Sequence, residues 1–154
     1  MAQFLFGIKR TLPEIFKSAN LFGVEINRDV INYLSTINIC DNIKIINDDY
    51  LLWEPNILFD IIIGNPPYGI PSPSNHYTIK IDTKIKEKYK SQYKTWYGKY
   101  NVYGAFIEKS IKLLKQEGQL IFIVPATFMI LDEFKKLRSF LSENGDVKLI
   151  YLGS

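Results

Sequence analysis

Phe59-Asp60-Ile61-Ile62-Ile63-Gly64-Asn65-Pro66-Pro67-Tyr68 is the stretch on which the reading of the whole chain turns. Its first half is an apolar run of the kind that forms a strand buried on both faces. Gly64 breaks the run. Pro66 and Pro67 then remove two successive backbone donors and fix two φ angles, so the strand stops and the chain holds a stiff shape. Open α/β sheets take their ligands at the carboxyl ends of the strands, which is where this corner falls. The corner offers the side-chain carbonyl of Asn65, the backbone carbonyls of Asn65 and Pro66, and the ring of Tyr68. That set suits a planar group bearing an amino function, with N–H to carbonyl contacts at its edge and stacking on its face. Asn-Pro alone is a common turn starter. The strand in front and the tyrosine behind make it a candidate site.

Working outward, strand-like segments alternate with helical ones. Residues 21–26, 43–46, 57–63, 119–124 and 147–152 read as strands, with a buried apolar character throughout. Helical spacing appears over residues 3–18, broken where Thr11 can cap a new turn and Pro13 can sit in its first turn. It recurs over 28–34 behind Asn27 as cap, over 79–93, over 101–116 with Gly118 as stop, and from Asp132, as cap, to 141. This alternation predicts an α/β fold with a doubly wound, mostly parallel sheet. In such a sheet Glu25, Asp49 and Asn65 stand at three neighbouring strand ends and form one site.

The 154 residues suffice for one domain with a real core, and 47% hydrophobic with 23% charged is ordinary for a globular protein. No apolar stretch is long enough to span a bilayer, and the N-terminus lacks the basic lead-in and cleavage site of a signal peptide. A lone Cys40 excludes an internal disulfide and suits a reducing cytoplasm. His76 is the single histidine, so no metal site is expected. The net charge of +3 is unevenly spread: residues 80–99 hold seven lysines against Asp82 and Glu87. Lys84, Lys88, Lys94 and Lys99, interleaved with Trp96, Tyr97, Tyr100 and Tyr103, suit nucleic-acid phosphates and unstacked bases. The same pattern also fits a solvated lysine face over an apolar stripe of Ile81, Ile85, Tyr89 and Tyr93. Pro71-Ser72-Pro73-Ser74-Asn75 reads as a loop, expected to flap beside the site.

Asn65-Pro66-Pro67-Tyr68 after an apolar strand resembles the catalytic motif of amino-methyltransferases that use S-adenosylmethionine. Six pieces in order resemble, more specifically, the adenine-N6 DNA methyltransferases of the gamma arrangement, the TaqI methylase group. They are Phe22-Gly23-Val24-Glu25-Ile26, the run from Asp49 to Pro55, the run from Gly64 to Ile70, the run from Gly98 to Phe106, Val124-Pro125-Ala126-Thr127, and Tyr151-Leu152-Gly153. The resemblance implies a Rossmann-like methyltransferase fold, S-adenosylmethionine as cofactor and double-stranded DNA as substrate. It implies methyl transfer to N6 of a flipped adenine, within a restriction-modification system that includes a cognate restriction endonuclease. It makes Asn65, Pro66, Pro67 and Tyr68 catalytic. Glu25 would take the cofactor's ribose hydroxyls and Asp49 its exocyclic amine. Ile26, Tyr50 and Phe106 would line the purine, with Asn65 adjoining, and no metal would be needed. A glutamine-N5 protein methyltransferase shares the Asn-Pro-Pro-Tyr turn, and a DNA- or partner-binding remnant is a non-catalytic alternative. The insertion over 80–103 resembles the DNA enzymes.

The family's first strand and the glycine-rich turn after it have no counterpart before Phe22, nor does its DNA-recognition domain appear. Residues 1–154 therefore read as a partial catalytic domain, truncated and lacking its first strand, inactive until a missing N-terminal segment and recognition domain complete it. In the family that strand lies between the one ending at Glu25 and the one ending at Asn65. Its absence predicts unpaired strand edges in the middle of the sheet.

Overall fold

The computed structural model describes residues 2–37, 43–70, 81–98 and 101–150. The elements follow in the order α1 (Ala2–Thr11), α2 (Pro13–Ser18), β1 (Leu21–Glu25), α3 (Arg28–Thr36), β2 (Ile43–Asn47), β3 (Phe59–Gly64), α4 (Thr83–Gln92), α5 (Val102–Leu113), β4 (Leu114–Phe122) and α6 (Lys135–Asn144). They fall into two compact units, one of Met1–Ile57 with Ile63–Asn65, the other of Leu58–Ile62 with Pro66–Ser154.

In the first unit β1 and β2 run parallel, in register from Leu21 opposite Ile43 to Glu25 opposite Asn47. Parallel neighbours need a crossover, and α3 supplies it. Asn27 starts α3 by accepting the Asp29 N–H at 2.9 Å. Phe16 and Leu34 form the core, with Ile8, Leu21, Val30, Ile37 and Ile43 packed against them. The break between α1 and α2 falls as expected, with Pro13 at the start of α2. Thr11 does not cap it. Its hydroxyl donates back to the Gly7 carbonyl at 2.7 Å, a partner that lies four residues behind in the same helix.

The second unit is built on α5, whose Val102, Tyr103, Ala105, Ile107 and Leu113 are all buried. The helix ends at Leu113 and runs straight into β4, five residues before the expected strand start at 119. Here β3 is the pairing partner, and Lys115 Nζ lies 2.9 Å from both carboxylate oxygens of Asp60. Gly118 is therefore not a helix stop. It lies inside β4, where a Cβ would come within 2.9 Å of the Lys115 carbonyl oxygen and 3.1 Å of that of Phe59. Two short 3₁₀ turns, Ala126–Met129 and Asp132–Phe134, lead into α6. Asp132 opens the second turn rather than capping α6, whose cap position is held by Phe134 without a side-chain bond. Arg138 closes these turns onto α6 by donating to the carbonyls of Phe128 and Leu131, both at 2.8 Å.

The described strands form two two-stranded sheets, β1 with β2 and β3 with β4. The structure corrects one expectation: β3 is not buried on both faces, since Ile61 is 53% and Ile63 37% exposed. Among the described residues its one strand neighbour is β4. Residues 147–150 likewise form no strand, and Val147, Leu149 and Ile150 are exposed. Their backbone groups have no described strand to pair with. Among the described residues no helix is long and apolar enough to cross a membrane, and no cluster of His, Cys, Asp or Glu could hold a metal ion.

Gly118→Ala should destabilise the protein by about 1–3 kcal/mol, because both close atoms are backbone and cannot swing aside. Gly7→Ala, in α1 with nothing within 4 Å, should be neutral or gain up to about 1 kcal/mol. Urea unfolding of the two variants checks the contrast.

Candidate functional site

The parallel register brings Glu25 and the residues after Asn47 to one end of the first unit's strand pair. Asn47 knits that end together. Its Nδ2 donates to the carbonyls of Glu25 at 3.0 Å and Ile26 at 3.3 Å, and its Oδ1 accepts from Arg28 Nε at 3.1 Å. The Asn27 N–H holds Glu25 Oε1 at 3.0 Å, which fixes the half-buried carboxylate at the strand end. Asp49 folds back on its own turn: Oδ1 accepts the Leu51 N–H at 2.9 Å, and its carbonyl accepts those of Leu52 and Trp53. This sets Tyr50 half-buried, its ring centroid 6.5 Å from that of Trp53. Ile26 is 67% exposed, a large apolar side chain beside a carboxylate. Two carboxylates with an aliphatic and an aromatic face fit a nucleoside, whose hydroxyls and amine are donors and whose base is flat and apolar. Asn65 belongs to this unit through residues 63–65 and is exposed.

In the second unit Pro66 is buried while Pro67 is exposed and Tyr68 is 44% exposed. The Tyr68 hydroxyl donates to the Ile123 carbonyl at 2.9 Å. Tyr103 meets the Tyr68 ring edge-on, centroids 6.2 Å apart at 89°. Behind it Tyr103 stacks on Phe134 at 5.0 Å, and its hydroxyl lies 3.3 Å from Thr127 Oγ1. Burial pushes the Tyr103 phenol above its ordinary value, so it stays a neutral hydroxyl. Gly69 has φ +122°, a backbone state that glycine adopts without strain. Its N–H donates to Asn101 Oδ1 at 2.9 Å, and its carbonyl accepts the Val102 N–H at 3.0 Å. The turn is thus docked on the N-terminus of α5. Phe106, on that helix, is half-buried.

The basic segment keeps the apolar stripe, but α4 begins only at Thr83 and ends at Gln92, so Ile81 and Tyr93 flank it, and residues 79–80 lie outside the described residues. Asp82 caps α4 by accepting the Lys84 N–H at 2.8 Å. Tyr89, Tyr93 and Trp96 are buried, while Lys84, Lys88 and Lys94 are exposed. Lys99, the loop over 71–75, His76 and Cys40 lie outside the described residues.

The sequence profile of the Eco57I restriction-modification methylases matches residues 12–153, nearly the whole chain. The chain belongs to that family. It is 53% identical over 105 residues to the type II methyltransferase M.TthHB8I of Thermus thermophilus, covering 68% of this chain and 24% of the relative. It is 47% identical over 100 residues to the type II restriction enzyme and methyltransferase RM.Eco57I of Escherichia coli, covering 64% of this chain and 10% of the relative. The modification methylase CviBIII of Paramecium bursaria Chlorella virus NC1A is 36% identical over 115 residues, 74% of this chain and 26% of its own length. The chain thus spans about a quarter or less of these relatives. A solved class I S-adenosylmethionine-dependent methyltransferase structure from Listeria monocytogenes superposes with a TM-score of 0.69 at 20% identity, over 90% of this chain and 40% of that one. The fold of this Eco57I-family chain is accordingly the class I methyltransferase fold, with the described strands in two pairs.

Two features of this methylase were not read from its sequence. Asn101 is the cap of α5 and not its first residue; an Asn before an apolar helical run was the available signal. The other is Glu108, completely buried on α5. Its carboxylate accepts the N–H groups of Lys94 at 3.2 Å and Thr95 at 2.9 Å, the Thr95 hydroxyl at 2.7 Å, and the Lys112 ammonium. It thereby fixes the turn that carries exposed Lys94. Burial alone would raise the Glu108 carboxyl, but the hydrogen bonds from Lys112 and Thr95 outweigh it and hold the group below its ordinary value.

A carboxyl depressed in the folded state stabilises above its unfolded value and loses that contribution as pH falls through the folded one. Wild-type stability should therefore drop from about pH 4.5 downward more steeply than that of Glu108→Gln. At pH 7 Glu108→Gln should cost about 1.5–3 kcal/mol, since one N–H acceptor becomes a donor facing donors. Urea unfolding of both proteins across pH 3 to 7 measures the two slopes.

Proposed function

We propose that this chain is the catalytic-domain segment of an adenine-N6 DNA methyltransferase, acting on duplex DNA in a cytoplasmic restriction-modification system. The observation that carries the proposal is the proline-locked turn: Pro66 buried, Tyr68 half exposed and anchored by its hydroxyl, Gly69 pinned to α5. S-adenosylmethionine, when bound, supplies an electrophilic methyl group on a sulfonium. By the family resemblance Glu25 would take the ribose hydroxyls and Asp49 the exocyclic amine. Ile26, Tyr50 and Phe106 would be its purine-lining residues, with Asn65 a further cofactor-binding position.

The target adenine leaves the stack, because its N6 is unreachable inside the duplex. Tyr68 receives its face. The side-chain carbonyl of Asn65 and the backbone carbonyl of Pro66 accept the two N6 hydrogens. That pulls the nitrogen toward tetrahedral geometry and frees its lone pair from the ring, so no strong general base is required. Pro66 and Pro67 hold the acceptors still, which turns their hydrogen-bonding strength into orientation rather than motion. Lys84, Lys88, Lys94 and Lys99 take phosphates, a role that makes affinity fall with salt. The exposed lysines and the 54% exposed ring of Tyr97 favour nucleic acid over the peptide substrate of a glutamine methyltransferase.

The chain spans 24% of the Thermus relative, and we infer that the segment turns over within a longer methylase. The rest of a full-length methylase and its DNA-recognition domain complete it, with a restriction endonuclease as functional partner. The test places this chain's matched segment into the Thermus relative and follows tritiated methyl groups into duplex DNA. Label should appear on adenine with the chimera and not with the isolated chain. Asn65→Ala in the chimera should lower kcat on the order of a hundredfold or more, while S-adenosylmethionine affinity stays nearly unchanged. Label on glutamine residues of a protein, or equal loss of turnover and cofactor affinity, would overturn the assignment.

A further inference from the structure

We infer that Asn101 is a positioning residue for Tyr68: it fixes the downstream end of the turn that Pro66 and Pro67 fix upstream. The geometry separates this role from simple helix capping. Asn101 Oδ1 lies 2.9 Å from the Gly69 nitrogen but 3.5 Å from the Tyr103 nitrogen, so its shorter bond reaches out to the turn and its longer one serves α5. A residue placed only for capping would favour its own helix. The contact is reciprocal, because the Val102 N–H donates to the Gly69 carbonyl at 3.0 Å. Both backbone polar groups of Gly69 are therefore held by adjacent residues of one helix start. Gly69 directly follows Tyr68 and sits at φ +122°, so its orientation sets how the chain leaves the tyrosine.

The same helix start also carries Tyr103, whose ring meets the Tyr68 ring edge-on. The contacts that hold Tyr68 include its hydroxyl on Ile123, its ring perpendicular to that of Tyr103 and its following peptide on Asn101. The first two act through the ring, and rotation about its side-chain bonds can break both. Asn101 acts on the backbone and keeps the half-exposed ring aimed. An acceptor is all this requires, so aspartate should substitute for asparagine and alanine should not.

The test uses the 154-residue chain with Asn101→Ala and Asn101→Asp. Hydrogen exchange of the Gly69 amide reads the clamp, with the Ile107 and Leu113 amides of α5 as controls. In Asn101→Ala the Gly69 amide should exchange about tenfold faster or more while the controls hold, and Asn101→Asp should restore protection. The ring resonances of Tyr68, set by the neighbouring Tyr103 ring, should shift in the alanine variant and return in the aspartate one. Equal acceleration at Gly69 and the controls would make Asn101 a plain cap and overturn the proposal, as would unmoved Tyr68 resonances. The inference rests on the methyltransferase reading only in what Tyr68 is aimed at. A duplex with 2-aminopurine at a mismatch tests that part separately: no stacking quench by the wild-type chain would sink the base-binding role of Tyr68, whatever Gly69 does.

Discussion

Two fixed prolines followed, after Tyr68, by a left-handed glycine leave the backbone over residues 66–69 few conformations, and the proposed site depends on that restriction. Hydrogen-bond acceptors in water gain little from a partner they can also find in solvent. Held rigidly beside an aromatic face, the same acceptors become selective for a flat amine. The rigidity is not intrinsic to the turn alone. It is completed by α5, a helix buried along most of its length. From one side α5 receives Gly69 and the edge of Tyr68; from its middle Glu108 grips the Lys94–Thr95 turn. A single buried helix thus organises both the base-facing turn and one of the lysines proposed to meet phosphate.

The two units carry complementary chemistry. The first presents carboxylates at parallel strand ends, held by backbone N–H groups and by Asn47. Acceptor groups placed there suit the hydroxyls and amine of a nucleoside. The second presents an aromatic ring and exposed lysines, suited to a base and its phosphates. In the second unit one acid–base pair is a strand tie: Lys115 bonds the Asp60 carboxylate and holds it below its ordinary value. Such an exposed pair adds little to stability.

Features governed by local chemistry were legible in the sequence. Strand β1, helix α3 behind Asn27, strand β2 and the stripe of Tyr89, in α4, and Tyr93, just after it, all depend on periodicity and caps within a few residues. Features governed by neighbours were not. The exposure of Ile61 and Ile63, the early start of β4 at Leu114, the packing role of Gly118 and the unpaired state of residues 147–150 follow from which strands lie alongside. The site divides the same way. Glu25, Asp49, Asn65 and Tyr68 announce themselves by strand ends and prolines. Asn101 and Glu108 act on partners 32 and 13 residues away, a distance that a linear pattern does not encode.

The central claim is that the turn's oxygens accept hydrogens from an adenine amino group. The most direct measurement is nuclear magnetic resonance of the Asn65 side-chain amide and the Gly69 backbone amide during titration with 9-methyladenine and with its N6,N6-dimethyl analogue. The account predicts that the amine moves both signals and that the dimethyl analogue, which stacks equally well but donates nothing, leaves Asn65 unmoved. Identical shifts from the two ligands would mean that the turn recognises only a flat ring, and would contradict it.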